Sequence, residues 1–511
     1  MPVDAIQLEL FRHMLVSIAE EMGAVLRKTA YSANIKERRD YSCAVYDSHG
    51  ETVAMGDHMP VHLGAMPLSV RAVMDAFALS EGDVALVNDP FQGGTHLPDI
   101  TVVAPVFTGG PRPAFYVASR AHHADVGGMS PGSMPLATEI FQEGLRIPPI
   151  LIQRGGKLDE SLLGLILANV RTPVERRGDL RAQLASIERG QQRLRDLVGR
   201  YGIREMQSGM RALQNYSKRM MRAALRKLPR GTYRFEDFLD NDGITTAPVA
   251  IRVAVTLGRD EAVVDFTGSA RQVQGPMNAN YAVTLAATMY VFRCLIEEDV
   301  PFTAGILRPI RVIAPKGSVV NALAPAAMAA GNVETSQRIT DVLLGALSKA
   351  APGRLPAASC GTMNNLSFGG NGWAYYETIA GGAGASLRGA GLSAHHTHMT
   401  NSWNTPVEAF EHQYPVRIES YHVRRGSGGA GTHRGGDGIV REFQFLADAE
   451  VTLIADRRQR GPWGLDGGAD GKPGKDTLRA KVLRPKSRSE VRPGDLLRIE
   501  TPGGGGSGRS S

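Results

Sequence analysis

Cysteine is scarce: Cys43, Cys294 and Cys360 are the three in 511 residues, and no two form a CxxC pair. That excludes a disulfide framework and a thiolate zinc site, so any metal must be held by His, Asp or Glu. Long apolar runs are missing too. No stretch of about 18 uninterrupted apolar residues occurs, and the opening MPVDAIQLELFRHML carries acids where a signal peptide needs a basic start and an apolar run. The expectation is a cytoplasmic protein without a membrane segment. No GxxxxGK[ST] loop is present, so a nucleoside triphosphate would have to be bound elsewhere. A strong excess of one charge is also lacking, since a net +7 spread over this length does not imply nucleic acid.

What is present reads as a globular chain, 42% hydrophobic and 21% charged, long enough for about two to four domains. The spacing predicts an α+β, multi-domain fold with mixed β-sheets, an N-terminal helix and a central helical hairpin. Ile6, Leu10, Met14, Ile18, Met22 and Leu26 recur every fourth residue, with Asp4 as N-cap. From Asp179, placed at a second N-cap, to Gly202 one apolar helical face continues, and a further helix runs on until Pro229 stops it. Expected boundaries are an N-terminal α/β metal-site domain at 1–178, the helical hairpin at 179–230, a β-rich domain at 231–330, a glycine-rich α/β domain at 331–500 and a disordered tail at 501–511.

The basic charge is concentrated: residues 171–230 hold 16 Lys/Arg against 5 Asp/Glu. A solvated helix face accounts for this, and so does a docking surface for an acidic partner or a nucleotide-bearing subunit.

Chemistry gathers in GGTHLPDITVVAPVF (residues 93–107). Pro98 keeps His96 and Asp99 off a helix, so the pair enters a strand that begins at Ile100. A turn at residues 108–111 then leads through AFYVAS to RAHHADVGG. Pairing Phe107 with Arg112 puts Asp99 opposite Arg120 and His96 opposite His123. His96, Asp99, His122, His123 and Asp125 then share one hairpin end. Mixed imidazole and carboxylate ligands suit Zn²⁺, Mn²⁺ or Fe²⁺. Against this, histidines in loops are commonly structural, and two adjacent ones point opposite ways in an extended chain.

Two other polar clusters stand out. AHHTHMTNSWNTPVEAFE brings His395, His396, His398 and Asn404 together, and GDHMPVHLGAMP contributes His58 and His62. Each is either a polar loop or part of an active-site lining, and His62, His396, His398 and Asn404 are the candidate substrate contacts. Gly128 to Gly132 fits GxSxG, but Pro131 and Pro135 deny the helix that a nucleophile elbow requires. Gly426, Gly428 and Gly431 fit GxGxxG without a following helix.

NDPFQGGTHLPDI, AHHADVGG, SANIKERRDYSCAVYD, VHLGAMP, EIFQEGLRIPP, NTPVEAFE and SGGAGTHRGGDG together resemble the hydantoinase B/oxoprolinase family, from residue 4 to about 465. The resemblance implies a B-type subunit working with an A-type subunit that binds ATP, in a hetero-oligomer, on a small cyclic amide such as a hydantoin, 5-oxoproline or another lactam. It implies one divalent transition metal held by Asp40, His96, Asp99 and His122, with His123 the fallback for the last. Asp125 or His123 would orient a ligand or move a proton. A ketone carboxylase subunit and a non-catalytic partner with a structural metal are the alternatives, and the chain's length favours ring hydrolysis. Trp403 departs from the smaller or basic residue usual in the family.

Overall fold

The structure, a computed structural model, describes residues 4–56 and 58–509. The first three residues of the expected N-terminal domain, and the last two of the expected tail, lie outside them. None of the described helices is long and apolar enough to cross a membrane.

The N-terminal helix Ala5–Thr29 starts as expected, in a capping box: Asp4 accepts from the Gln7 amide at 2.8 Å, and the Gln7 side chain reaches back to the Asp4 amide. The buried stripe differs from the one expected. Phe11, Leu15, Ile18, Met22 and Leu26 face inward, while Ile6 and Leu10 are 83% and 47% exposed. A strict spacing of four overshoots the 3.6 residues of a turn, so the stripe drifts outward over the first two turns.

The helix against which it packs, Pro173–Tyr201, begins six residues before Asp179, because Pro173 sits at the start where its missing N–H is harmless. Asp179 is therefore interior. Its carboxylate accepts from the amides of Tyr31 and Ser32, at 2.8 and 3.0 Å, and pairs with Arg176 at 2.8 Å. Gly202 ends the helix as expected, and Ile203–Arg226 follows at once. That second helix joins two cores. Met206, Met210 and Leu213 pack with the N-terminal sheet, whereas Met221, Ala224 and Leu225 pack with the central one.

The N-terminal sheet has seven antiparallel strands, with Tyr41–Asp47, Phe115–His122, Asp99–Val106 and Val84–Val87 as its middle. It is covered on both faces. Ile100, Val102 and Val117 meet the two long helices, and Val103, Ala118 and Tyr46 meet the helix Met66–Ala76. A four-stranded sheet, Gly231–Leu239, Val249–Leu257, Ala262–Asp265 and Ile310–Ile313, packs on the fully buried helix Ser336–Ser348. Two further sheets, of four and five strands, share a third core rich in Phe and Tyr.

The tail expected to be disordered is instead packed. Residues 501–507 are buried, and the Gly504, Gly505 and Gly506 amides donate to Gly436, Ala358 and Ala469. A Cβ at Gly504 would overlap the Ala383 carbonyl. Low complexity here marks backbone packed against backbone with no room for side chains.

Candidate metal centre

The cluster rests on one strand register. Asp99 pairs with His122, two residues from the register expected, because Pro111 and Pro113 lengthen the turn and Val106 pairs with Phe115. A shift of two preserves the face, so the expected meeting of the two clusters survives with different opposites. Asp99 and His122 now face each other directly, and the turn holding His96 lies beside them, with the Asp99 amide donating to the His96 carbonyl. The ligand atoms of His96, Asp99 and His122 lie within 4.8 Å of one another, and all three residues are buried.

The hydrogen bonds decide which lone pairs converge. His96 Nδ1 lies 2.9 Å from the Ala329 carbonyl oxygen and must donate to it, which leaves Nε2 as an acceptor in the neutral ring. That Nε2 is 3.3 Å from Asp99 Oδ1, and His122 Nδ1 is 3.3 Å from the same oxygen. The other carboxylate oxygen, Oδ2, is held by Thr95 Oγ1 at 2.7 Å and Asn332 Nδ2 at 3.1 Å, with His62 Nε2 at 3.4 Å. Asp99 Oδ1 and His96 Nε2 make no hydrogen bond among the described residues. A carboxylate oxygen flanked by imidazole nitrogens, sealed from water, is stable only with a proton or a cation among them.

The electrostatics agree. Burial alone would raise the Asp99 carboxyl, but His96 and His62 hold it well below the usual carboxylate range. Burial would lower His96, and Asp99 more than offsets this, so its imidazolium form is favoured. His122 is lowered by burial despite the same carboxylate. The His122 ring is stacked on Tyr376, with centroids 4.5 Å apart, and the Tyr376 hydroxyl donates to Asn365.

Other residues singled out in the sequence lie elsewhere. His123 points to the opposite face of the strand, as period two demands, and meets Gln183 Oε1 at 2.9 Å. Asp125 accepts from the Gly127 and Arg171 amides and pairs with the Arg171 guanidinium at 3.0 Å. Neither is brought to the cluster. Asp40 adjoins it: its carbonyl accepts the His122 amide at 3.0 Å, and its carboxylate lies 3.9 Å from Arg38 Nη2. The Asp40 charge is felt at both His96 and His122, although its oxygens lie outside the compact trio. His62 is brought in through Asp99 and is held on its other nitrogen by Ser42 Oγ at 2.9 Å.

The second histidine cluster stays apart from Asp99. His396 is lowered to about 3 by burial and then by the Arg38 cation, and His398 Nδ1 lies 3.3 Å from the Tyr290 hydroxyl. Asn404 donates to Glu377 and to the Thr378 carbonyl.

Sequence reasoning missed Thr95, Asn332, Tyr376 and Glu143. Thr95 adjoins His96 and was within reach of a local reading. Asn332 and Tyr376 are more than 200 residues away along the chain, and no spacing rule connects them to Asp99. Glu143 accepts from the Met328 and Ala329 amides, at 2.6 and 2.9 Å, and so holds the loop whose carbonyl orients His96. Burial pushes its carboxyl up to about 8.

The hydantoinase B/oxoprolinase family profile matches residues 4–510. The chain belongs to that family. It is 42% identical to an uncharacterised protein of Methanocaldococcus jannaschii, over 99% of this chain and 91% of that one. It is 39% identical to 5-oxoprolinase 1 of Arabidopsis thaliana but spans only 42% of its length. The B-type subunit of a putative D-/L-hydantoinase from a Pseudomonas is 31% identical, over 99% of this chain and 90% of that one. The crystal structure of an ATP-dependent caprolactamase from Pseudomonas jessenii superimposes with a TM-score of 0.93 at 29% identity, covering all of this chain and 92% of that one. An acetone carboxylase chain shares the fold, with a TM-score of 0.88 at 18% identity over 99% of this chain and 76% of that one.

Proposed function

We propose that the chain is the metal-bearing B-type subunit of a cytoplasmic, ATP-dependent cyclic amide hydrolase that opens a hydantoin, 5-oxoproline or a related lactam. An A-type partner subunit supplies the ATP site. The observation that carries this reading is the convergence of His96 Nε2, His122 Nδ1 and Asp99 Oδ1 at one buried point, where His96 Nε2 and Asp99 Oδ1 have no hydrogen-bond partner among the described residues. His96, Asp99 and His122 would hold one divalent Zn, Mn or Fe, with Asp40 beside them as a fourth, anionic group. When bound, such an ion polarises a carbonyl oxygen and lowers the pKa of water toward neutrality.

The chain's own contribution is preparation. Thr95 and Asn332 fix the Asp99 carboxylate, Ala329 sets the tautomer of His96, and Tyr376 fixes the plane of His122. With Oδ2 occupied, Oδ1 alone is turned to the two imidazoles. The relatives named oxoprolinase, hydantoinase and caprolactamase support the lactam or imide as substrate, and the hydantoinase relative, itself one subunit of its enzyme, supports the need for a partner.

The test is reconstitution of the chain with its A-type subunit, ATP and a panel of hydantoins and lactams, alongside elemental analysis of protein purified without added metal. Ring opening that needs both subunits, ATP and about one transition metal per chain is the expected result. Turnover by a metal-free complex, or turnover that depends on bicarbonate, refutes it.

A further inference from the structure

A polar cavity of about 190 Å³ is lined by Glu20, Arg27, Arg39, Tyr41, His58 and Trp403, with Arg39 next in the chain to Asp40. It runs on into a shallower groove of about 430 Å³ that shares Arg27, Arg39 and Trp403 and adds Lys28, Lys36, Glu37 and Asn404. The turn that builds it carries three successive roles. Arg38 is buried and donates to the Tyr376 and Thr378 oxygens, Asp40 is buried and accepts the His122 amide, and Arg39 between them is partly exposed. Arg39 holds a left-handed backbone, φ 56°, which a residue with a side chain keeps only when its surroundings enforce it.

The charges in this groove do not cancel. Arg27, Lys28, Lys36 and Arg39 make no ion pair among the described residues, while Glu20 lies 3.9 Å from His58 Nε2. The Arg39 guanidinium is 3.5 Å above the Trp403 ring. Stacking uses the face of a guanidinium and leaves its in-plane N–H donors free, the arrangement suited to a planar or tetrahedral oxyanion. Arg27 and Lys28 also complement the end of their helix, and Lys36 the end of the short helix Ala33–Lys36, but that account does not extend to Arg39.

We infer that this groove, built on the turn that leads into Asp40, binds the anionic group of a small substrate, a carboxylate or a phosphoryl group. Its link to ring opening rests on the hydrolase reading; the binding of the anion does not. The test is calorimetry on the full chain alone at low ionic strength, with 5-oxoproline, inorganic phosphate and the uncharged ring 2-pyrrolidinone. At least one anion is expected to bind about tenfold or more tightly than 2-pyrrolidinone. The better of 5-oxoproline and phosphate tells a carboxylate from a phosphoryl group. Arg27→Ala/Arg39→Ala should weaken that anion by about tenfold or more, the scale of a lost charge-assisted hydrogen bond, with metal content and circular dichroism unchanged. Arg39→Lys should retain part of the affinity, which excludes a folding defect as the cause. Equal binding of neutral and charged rings, or unchanged anion affinity in the double variant, overturns the proposal. So does a double variant that loses only its hold on the A-type subunit, which would make the groove a protein contact. Anion binding without ring opening would sink the hydrolase reading and leave this one standing.

Discussion

Asp99→Asn separates a cation-dependent cluster from an ordinary buried polar one. The amide is the same size as the carboxylate, and its oxygen accepts from Thr95 and Asn332, which now reach Asp99 at 2.7 and 3.1 Å. Its nitrogen then faces His96 Nε2 and His122 Nδ1, each 3.3 Å from the present oxygen, and supplies donors where the native cluster needs a cation. Each such neutral hydrogen bond contributes about 0.5–1.5 kcal/mol, so at alkaline pH, where His96 is neutral, the metal-free variant should be at least as stable as the metal-free native chain. Metal binding should fare differently. Removing a group that merely orients a ligand costs about 10–100-fold in metal affinity, and loss of the trio's anion should cost at least about 100-fold. At free metal ~1,000 times the native dissociation constant, binding stabilises the native chain by about 4 kcal/mol but the variant by only about 1.4 kcal/mol.

Calorimetric melting with and without chelator, together with metal content after dialysis, reads this out. A large chelator effect is expected in the native chain and a small one in the variant. Indifference of the native chain to chelator, or one retained metal per variant chain, would refute the reasoning. The pH dependence carries the same sign. Without metal, the raised His96 contributes stability that is complete below the unfolded value of about 6.5 and is lost as pH rises through its folded one. The lowered Asp99 contributes stability that is lost as pH falls below about 3.8. Asp99→Asn should flatten both limbs.

Glu143 keeps its proton up to about pH 8 in the fold but releases it near 4.5 when unfolded, so its burial should erode stability as pH rises between the two. Glu143→Gln should remove that slope, to be seen in urea midpoints measured from pH 5 to 9. Arg338→Ala leaves Asp237 and Asp456, each 3.0 Å from its guanidinium, short of a buried partner, and should cost about 3–5 kcal/mol in denaturant melts. Gly504→Ala should destabilise strongly or prevent soluble expression, whereas Gly199→Ala, with nothing within 4 Å, should stabilise by about 0.5–1 kcal/mol in thermal melts. His123→Asn should keep native metal content while His122→Asn loses it, as read by elemental analysis.

Local features were legible in the chain alone. Its residues placed the capped first helix, the strand–turn–strand about residues 108–111, the end of the long helix at Gly202 and the meeting of His96, Asp99 and the 122–123 pair. These follow from backbone periodicity and from proline and glycine, which act within a few residues. The family was legible too, because seven ordered motifs survive wherever the chain folds. Contacts between distant segments settled what remained. That His122 lies directly opposite Asp99 depended on a register set by turn length. Asn332, Ala329 and Tyr376 reach the cluster only because two separate segments close over one sheet end. The glycine tail is ordered because distant backbones leave no room for a Cβ, a long-range steric fact that low complexity in the chain cannot express.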